Sequence, residues 1–137
     1  MARAARTSRC GTGDARVRLR AAEAYLQVAE LVRDEANRAE FTTVAAGDAV
    51  LAGIAACDEI CCCRLQRRAR GDDHRAAARL VEQAVPDGKA LASTLIRLLD
   101  IKDAAHYGVS LIDTRTASNA TRWAKRLVDR AREEIER

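Results

Sequence analysis

Apolar side chains recur every three or four residues along most of this 137-residue chain, which is the period of an amphipathic helix. The pattern predicts five helices, over residues 15–37, 44–68, 74–85, 88–106 and 114–136. Residues 1–13 lack this period and are polar, basic and glycine-containing. We therefore expect a flexible basic tail over 1–13 and one helical domain over 14–137. Short connections between long helices favour an all-α, up-and-down bundle of four to five antiparallel helices.

Local signals mark the helix ends. Asp14 and Asp113 stand where a side chain can cap the first and fifth helices, and Thr42 or Thr43 can cap the second. Pro86 ends the third helix. The bulkiest apolar residues of the first helix predict its inner face, which comprises Val17, Ala21, Ala24, Tyr25, Val28, Leu31 and Val32.

Composition supports helix over sheet, because alanine is abundant while β-branched and aromatic residues are few. No run approaches the roughly 20 apolar residues that cross a membrane, so no membrane association is expected. The first residues include arginines but no apolar segment, unlike a secretory signal. A cytoplasmic location is the expectation.

The net charge of +4 is carried mainly by arginine, and the arginines cluster in residues 3–20 and 64–75. Such clusters suit a phosphate backbone, although a solvated surface explains them equally well. Aromatic residues make up 3% of the chain, too few for a base-stacking platform. The candidate RNA-binding residues are Arg64, Arg67, Arg68 and Arg97.

Four of the five cysteines fall in the second predicted helix and Cys10 lies in the tail. No Cys-x-x-Cys or Cys/His pair has the loop spacing of a zinc site. In a reducing cytoplasm such cysteines act as small apolar residues. We therefore expect no bound metal, no cofactor and four unpaired thiols, at Cys57, Cys61, Cys62 and Cys63.

The end of the fourth helix holds the most informative stretch. Its inner positions at helical spacing are Leu91, Leu95, Leu98, Lys102 and His106. The three leucines would face the core. On the same face, Lys102 and His106 then add a cation and an imidazole. This pattern indicates a phosphate or RNA site, or simply a helix C-terminus with favourable dipole partners.

Three segments carry a family resemblance. They are residues 21–31 in the opening helix, then Gly53–Leu65 followed by a basic loop and Asp73-His74, and finally Lys102-Asp103-Ala104-Ala105-His106-Tyr107. Their order over most of residues 15–136 resembles the HEPN superfamily, the higher eukaryotes and prokaryotes nucleotide-binding domain, and is most similar to its small stand-alone actinobacterial members.

The resemblance implies a homodimer in which two motifs share a cleft and cleave RNA without a metal. His106 would move the proton and Lys102 would hold the phosphate, while Asp103 and Tyr107 orient or assist. Such a protein would be the toxin of a toxin–antitoxin or defence pair, with an antitoxin protein as partner. We expect the dimer to bury the Lys102–His106 end.

This chain departs from the family pattern, in which Arg precedes His with four to six residues between. Lys102 has only three residues before His106. Arg68 has five before His74, but this match lies in the loop after the second helix and is expected by chance in an arginine-rich chain, so His74 is expected to matter less than His106. A non-catalytic HEPN bundle that binds nucleotide, RNA or a protein partner is therefore the alternative. Asp58 and Glu59 would orient the basic motif or lie in solvent.

Overall fold

Helices dominate the part of the chain that the structure, a computed structural model, describes: residues 6–35, 38–71, 73–108 and 111–136. For Glu35, Ala39, His106 and Tyr107 only the backbone is described. In chain order the elements are β1 (Thr7–Arg9), α1 (Thr12–Glu35), α2 (Ala39–Leu65), β2 (Arg67–Ala69), α3 (His74–Ala84), α4 (Gly88–Tyr107) and α5 (Thr114–Glu136).

The five predicted helices are confirmed, and the ends of α3, α4 and α5 fall within one residue of expectation. Helix α1 begins earlier because the Asp14 carboxylate accepts a hydrogen bond from the Gly11 backbone N–H at 2.9 Å. Helix α2 also begins earlier. Its threonines do not serve as the cap: Thr42 donates to the Ile112 carbonyl at 2.7 Å, and Thr43 accepts from the Ile112 N–H at 2.9 Å.

Ion pairs show the direction of the helices. Arg18, near the start of α1, pairs with Asp58 in the second half of α2, so these helices are antiparallel. Arg64 and Glu134 pair near the ends of α2 and α5, so those two run the same way. Asp87, just before α4, pairs with Arg130 near the end of α5, so α4 runs against α5 and α2. The up-and-down order is therefore α1, α2, α4, α5, with short α3 beside α4.

Helix α2 lies at the centre and is buried on nearly all sides from Ala45 to Cys62. Small side chains allow its neighbours to approach closely. A Cβ atom added at Gly53 would lie 2.5 Å from Leu98 Cδ1 and 3.2 Å from Leu127 Cδ1, so glycine permits α4 and α5 to close over α2. The largest fully buried side chains nearby are Val50, Ile60, Leu95, Leu98 and Leu127.

The predicted inner face of α1 is wrong. Its bulky residues are exposed to solvent, at 62% for Val17, 37% for Tyr25, 45% for Val28 and 58% for Leu31. The buried positions form a heptad-like series of alternating small and leucine residues: Ala15, Leu19, Ala22, Leu26 and Ala29. This series fits the alanine-rich surface of α2, where close approach gives dense packing. The exposed series (Val17, Tyr25, Val28 and Leu31) is called the apolar face of α1.

The described part of the predicted tail joins the end of the bundle. Strand β1 pairs antiparallel with β2, with Thr7 opposite Ala69 and Arg9 opposite Arg67. Cys10 follows β1 and forms a disulfide with Cys62 of α2, with the two Cα atoms 5.3 Å apart. The expectation that Cys62 is an unpaired thiol is therefore wrong.

The other three cysteines of α2, Cys57, Cys61 and Cys63, are free thiols as expected. Spacing along one helix excludes disulfides between these neighbours, but it carries no information about a partner in the N-terminal segment. Only the return of that segment across the end of α2 brings Cys10 to Cys62.

No helix within the described residues combines the length and apolar character that crossing a membrane requires.

We predict that opening the Cys10–Cys62 disulfide lowers the free energy of unfolding. The bond joins residues 52 apart in sequence, and closing a loop of that size constrains the unfolded chain by about 2–4 kcal/mol. Urea unfolding followed by circular dichroism, with and without dithiothreitol, measures the loss. Cys10→Ser should show the same loss and no further response to reductant. Equal midpoints for oxidised and reduced wild type would contradict the prediction.

Candidate functional site

The N-terminus of α3 and the second half of α4 enclose an open polar cleft of about 160 Å³. Six residues line it: Asp73, His74, Arg75, Leu99, Lys102 and Asp103. We call it the α3–α4 cleft. It brings an imidazole, an ammonium group and a guanidinium group to one place, together with two carboxyl groups.

Local interactions of α3 position His74. Asp73 precedes the helix, and its carboxylate accepts a hydrogen bond from the Ala76 N–H at 3.3 Å, which is an N-cap. His74 is therefore the first residue of α3, and it is half-buried. Arg79, five residues after His74 in α3, forms an ion pair with the Asp73 carboxylate at 3.5 Å. The positive end of the helix dipole points toward the cleft.

Helix α4 supplies the other wall. Leu91, Leu95 and Leu98 are buried as predicted, at 4%, 0% and 0% exposure. Lys102, one turn beyond Leu98, is half-buried and lines the cleft beside Leu99. At the rim, Arg75 of α3 and Asp100 of α4 form an exposed ion pair at 2.8 Å, which links the two helices.

The predicted catalytic residues are only partly covered by the structure. Lys102 and Asp103 lie in the cleft, whereas the side chains of His106 and Tyr107 lie outside the described residues. The backbone places His106 one helical turn after Lys102, about 6 Å along the axis of α4. His74 was expected to matter less, yet it lies in the cleft. The Arg68–His74 spacing is the sequence signal that could have found it, although the sequence alone favours chance as its explanation.

The four predicted RNA-binding arginines do not gather at the cleft. Arg64 Nε donates to the buried Glu134 carboxylate at 2.7 Å, and Arg97 lies over the Trp123 ring at 5.7 Å. Arg67 and Arg68 belong to β2. None of these four lines the α3–α4 cleft.

The side chain of Arg64, from α2, lies near the start of α4, whereas Lys102 lies near the end of α4. Arg130 bonds both Glu134, the partner of Arg64, and Asp87, the residue just before α4. Lys102 is 14 residues beyond Gly88, which corresponds to about 21 Å of helix. The side chain of Arg64 therefore contributes to the opposite end of the bundle from the cleft.

Asp58 is buried between α1 and α2, so the expectation of a solvated carboxylate is wrong. It is 6% exposed and pairs with Arg18 of α1 at 3.1 Å, rather than with a residue of the cleft. Burial raises the pKa of Asp58, and the nearby Arg18 and Arg68 oppose that rise.

Glu59 is fully buried at 0% exposure. Its Oε1 accepts from the Cys63 thiol at 3.0 Å, while Oε2 has no hydrogen-bond partner among the described residues. Burial raises the pKa of Glu59 to about 7. Burial also acts to raise the pKa of the neighbouring Glu134, but hydrogen bonds from Arg64 and Arg130 outweigh it and lower that pKa. The two carboxyl groups therefore differ in charge near neutral pH.

Among the described residues, no group of three or more His, Cys, Asp or Glu side chains is arranged to hold a metal ion.

Comparison with known protein families and with curated protein sequences gives no match for this chain. The helical class is established by the structure, and the HEPN assignment stays a prediction that rests on the three segments quoted above.

We predict that Glu59 makes the protein less stable as the pH rises from 5 to 8. A carboxyl whose folded pKa is about 7 binds a proton in the folded state that the unfolded chain releases near 4.5. The folded state is then favoured at low pH, and the free energy of unfolding falls by about 2–3 kcal/mol as the pH rises from 5 to 8.

Urea unfolding of wild type and Glu59→Gln at pH 5 and pH 8 tests this dependence. Glutamine keeps an oxygen acceptor for Cys63 and cannot ionise, so the variant should lose most of the pH dependence and be more stable at pH 8. Parallel profiles for the two proteins would exclude Glu59 as the cause.

Proposed function

We propose that this protein binds RNA at the α3–α4 cleft and cleaves it without a metal ion. The observation that carries the proposal is the meeting of His74 and Lys102 in one open cleft, although they are 28 residues apart in sequence. A proton-transfer group and a cation in the same cleft are the minimum that metal-independent phosphodiester cleavage needs. The backbone of His106, one turn after Lys102, brings a second histidine to this part of α4.

The reaction follows from the chemistry of RNA. The 2′-hydroxyl attacks the adjacent phosphorus, and one imidazole removes its proton. The bond to the leaving 5′-oxygen then breaks, and a second imidazole returns a proton to that oxygen, which leaves a 2′,3′-cyclic phosphate. We assign these two transfers to His106 and His74. Lys102 stabilises the negative charge that develops on the phosphate, while Asp103 and Tyr107 orient the participating groups.

The biological role proposed here rests on the resemblance to the HEPN superfamily. A small RNA-cleaving bundle of this kind would act as the toxin of a toxin–antitoxin or defence pair. Its partner would be an antitoxin protein that blocks the cleft.

A non-catalytic bundle that binds RNA or nucleotide is the second candidate, and the charges of the cleft favour it. Asp73 and Asp103 are among the lining residues, and the Arg75 guanidinium is already paired with Asp100. These carboxylates reduce the positive potential available for a phosphate. The cleft would then hold a ligand without the electrostatic stabilisation that cleavage requires.

We predict that the purified protein cleaves single-stranded RNA in the presence of a chelator. His106→Ala and His74→Ala should each slow cleavage by about 100-fold or more, since general acid–base catalysis contributes that much. Lys102→Ala should also slow it. The matched control is Lys125→Ala, because Lys125 is an exposed lysine of α5 that pairs with Asp129. Product analysis should show 2′,3′-cyclic phosphate ends.

The same assay separates the two candidate functions. RNA binding without cleavage by wild type would support the non-catalytic bundle. Equal cleavage by wild type and all cleft variants would show that the α3–α4 cleft is not the site.

The homodimer is also a proposal, and the apolar face of α1 supports an interface different from the one expected. This face lies opposite the buried face of α1, and its four bulky side chains are exposed. Ala24, at its centre, is exposed and small enough for a second helix to approach closely. We propose that α1 packs against the α1 of a second copy.

Charge on α1 selects an antiparallel pairing. Beside the apolar face, the first half of α1 carries Arg16 and Arg20, and the second half carries Glu30 together with Asp34, whose carboxylate also pairs with Arg33. A two-fold axis near Ala24 places the basic half of each copy against the acidic half of the other. A parallel pairing would place like charges together, which is unfavourable.

We predict a dimer by light scattering after size exclusion, and a monomer for Val28→Glu combined with Leu31→Glu. Arg20→Glu should weaken the dimer, and adding Glu30→Arg should restore it, because the reversed pair is complementary. Leu111→Glu is the control, since Leu111 is exposed near the end of α4 and outside this face. A dimer lost only in Leu111→Glu would place the interface at the Lys102–His106 end.

A further inference from the structure

Strands β1 and β2 bring together the two arginine clusters that the sequence separates. Arg9 lies opposite Arg67 in the strand pair, and the Arg70 N–H donates to the Arg6 carbonyl at 2.9 Å, which extends the pairing by one residue on each strand. Arg6, Arg9, Arg67 and Arg70 are all exposed. Because side chains alternate along a strand, Arg9 and Arg67 project from one face of the strand pair and Arg6 and Arg70 from the other. We call this group of four the arginine ribbon.

The four charges of the arginine ribbon are not neutralised within the part of the chain that the structure describes. None of the four guanidinium groups forms an ion pair with a described carboxylate. Arg67 Nε donates to the Thr7 hydroxyl at 2.6 Å, which fixes its orientation and leaves its charge unpaired because threonine is neutral. Arg68, also in β2, is half-buried and lies close enough to Asp58 to oppose the rise that burial causes in the pKa of that carboxyl.

Holding these arginines together needs an anchor. Like charges directly opposite each other destabilise a strand pair, and two strands of three residues are too short to be stable alone. The Cys10–Cys62 disulfide lies immediately after β1, and the Cys10 N–H donates to the Gln66 carbonyl at 3.0 Å immediately before β2. The disulfide therefore keeps β1 paired with β2 despite the electrostatic repulsion among the four arginines.

We propose that the arginine ribbon is a binding surface for the RNA backbone and that it functions only while the Cys10–Cys62 disulfide is intact. The inference deepens the proposed function, on which it rests for the identity of the ligand. A guanidinium group can bind a phosphate group through two parallel hydrogen bonds, which is called bidentate binding. The ribbon carries no aromatic side chain for base stacking, so binding depends on phosphates and not on base sequence.

The ribbon is also placed to deliver RNA to the cleft. Three residues lie between Arg70 and His74, so their Cα atoms, four steps apart along the chain, are no more than about 14 Å apart. A strand bound along the ribbon can therefore continue to the N-terminus of α3. A dithiol reductant opens the disulfide to two thiols and is itself oxidised. Opening the bond releases β1, so Arg6 and Arg9 leave the arginine ribbon.

Fluorescence anisotropy with a labelled single-stranded RNA of about 20 nucleotides, in a chelator, tests the proposal on the full chain carrying His106→Ala. Replacing all four ribbon arginines by glutamine should weaken binding by about tenfold or more. It should also reduce the slope of log K against log salt by about 3, since each phosphate contact on a single strand contributes about 0.7. The control replaces three exposed arginines of α5 by glutamine (Arg115, Arg122 and Arg126), and it should leave affinity and salt slope nearly unchanged although it removes almost as much charge.

Redox state is the second variable of the experiment. Dithiothreitol should weaken binding by the disulfide form by severalfold, and Cys10→Ser should bind weakly with or without reductant. Circular dichroism of each variant confirms that the helices remain. Unchanged affinity and salt slope in the four-arginine variant, or equal binding by the oxidised and reduced forms, would overturn the proposal.

Two further outcomes keep this proposal distinct from RNA cleavage. Ribbon-dependent binding in a protein that never cleaves RNA would support the ribbon and contradict the proposed catalysis. Binding to vesicles of anionic phospholipid without binding to RNA would assign the ribbon to a membrane surface and overturn the inference.

Discussion

The close packing of small side chains around α2 is the constraint on which the rest of the structure depends. Alanines along this helix, together with Gly53, let α1, α4 and α5 approach at short distance. Each alanine buries little apolar surface, so the main hydrophobic stabilisation comes from larger residues of the surrounding helices, such as Leu95, Leu98 and Leu127. The same close approach selects the Ala/Leu series of α1 for the interior and leaves its bulkier face in solvent.

A central helix also forces its own polar residues into the interior. Asp58 and Glu59 are near the end of α2, where no neighbouring helix leaves room for solvent. Arg18 supplies a counter-charge for Asp58, whereas Glu59 receives a single hydrogen bond from the Cys63 thiol. An incompletely compensated carboxyl is destabilising in its ionised form, which explains why burial holds the Glu59 pKa near 7. The disulfide to Cys62 reinforces this end of the bundle covalently.

The polar chemistry of the molecule is divided between two regions. The α3–α4 cleft combines His74 and Lys102 with nearby carboxylates, which suits proton transfer at a single phosphate. The arginine ribbon carries unneutralised cations at the end where α1 begins and α2 ends, which suits a longer polyanion. The short segment from Arg70 to His74 connects them, so the RNA strand proposed as ligand would be long enough to contact both regions.

The sequence by itself determined the five helices and most of their ends, because hydrophobic period and capping residues such as Asp73 and Asp113 act over a few residues. It also placed Lys102 on the continuation of the buried leucine stripe of α4, since that stripe depends only on helical geometry. The limits of a helix and the residues that share one of its faces can therefore be predicted from the sequence.

Only the tertiary structure decided which face of α1 is buried, because alanine is compatible with either side of a helix and the choice depends on the shape of α2. It alone paired Cys10 with Cys62 and brought Arg9 beside Arg67, since no local pattern encodes contacts between segments more than fifty residues apart. It also brought His74 to Lys102, because their meeting depends on α3 folding back along α4. The candidate site was only partly predictable for this physical reason: its histidine and lysine become neighbours through packing, not through spacing in the chain.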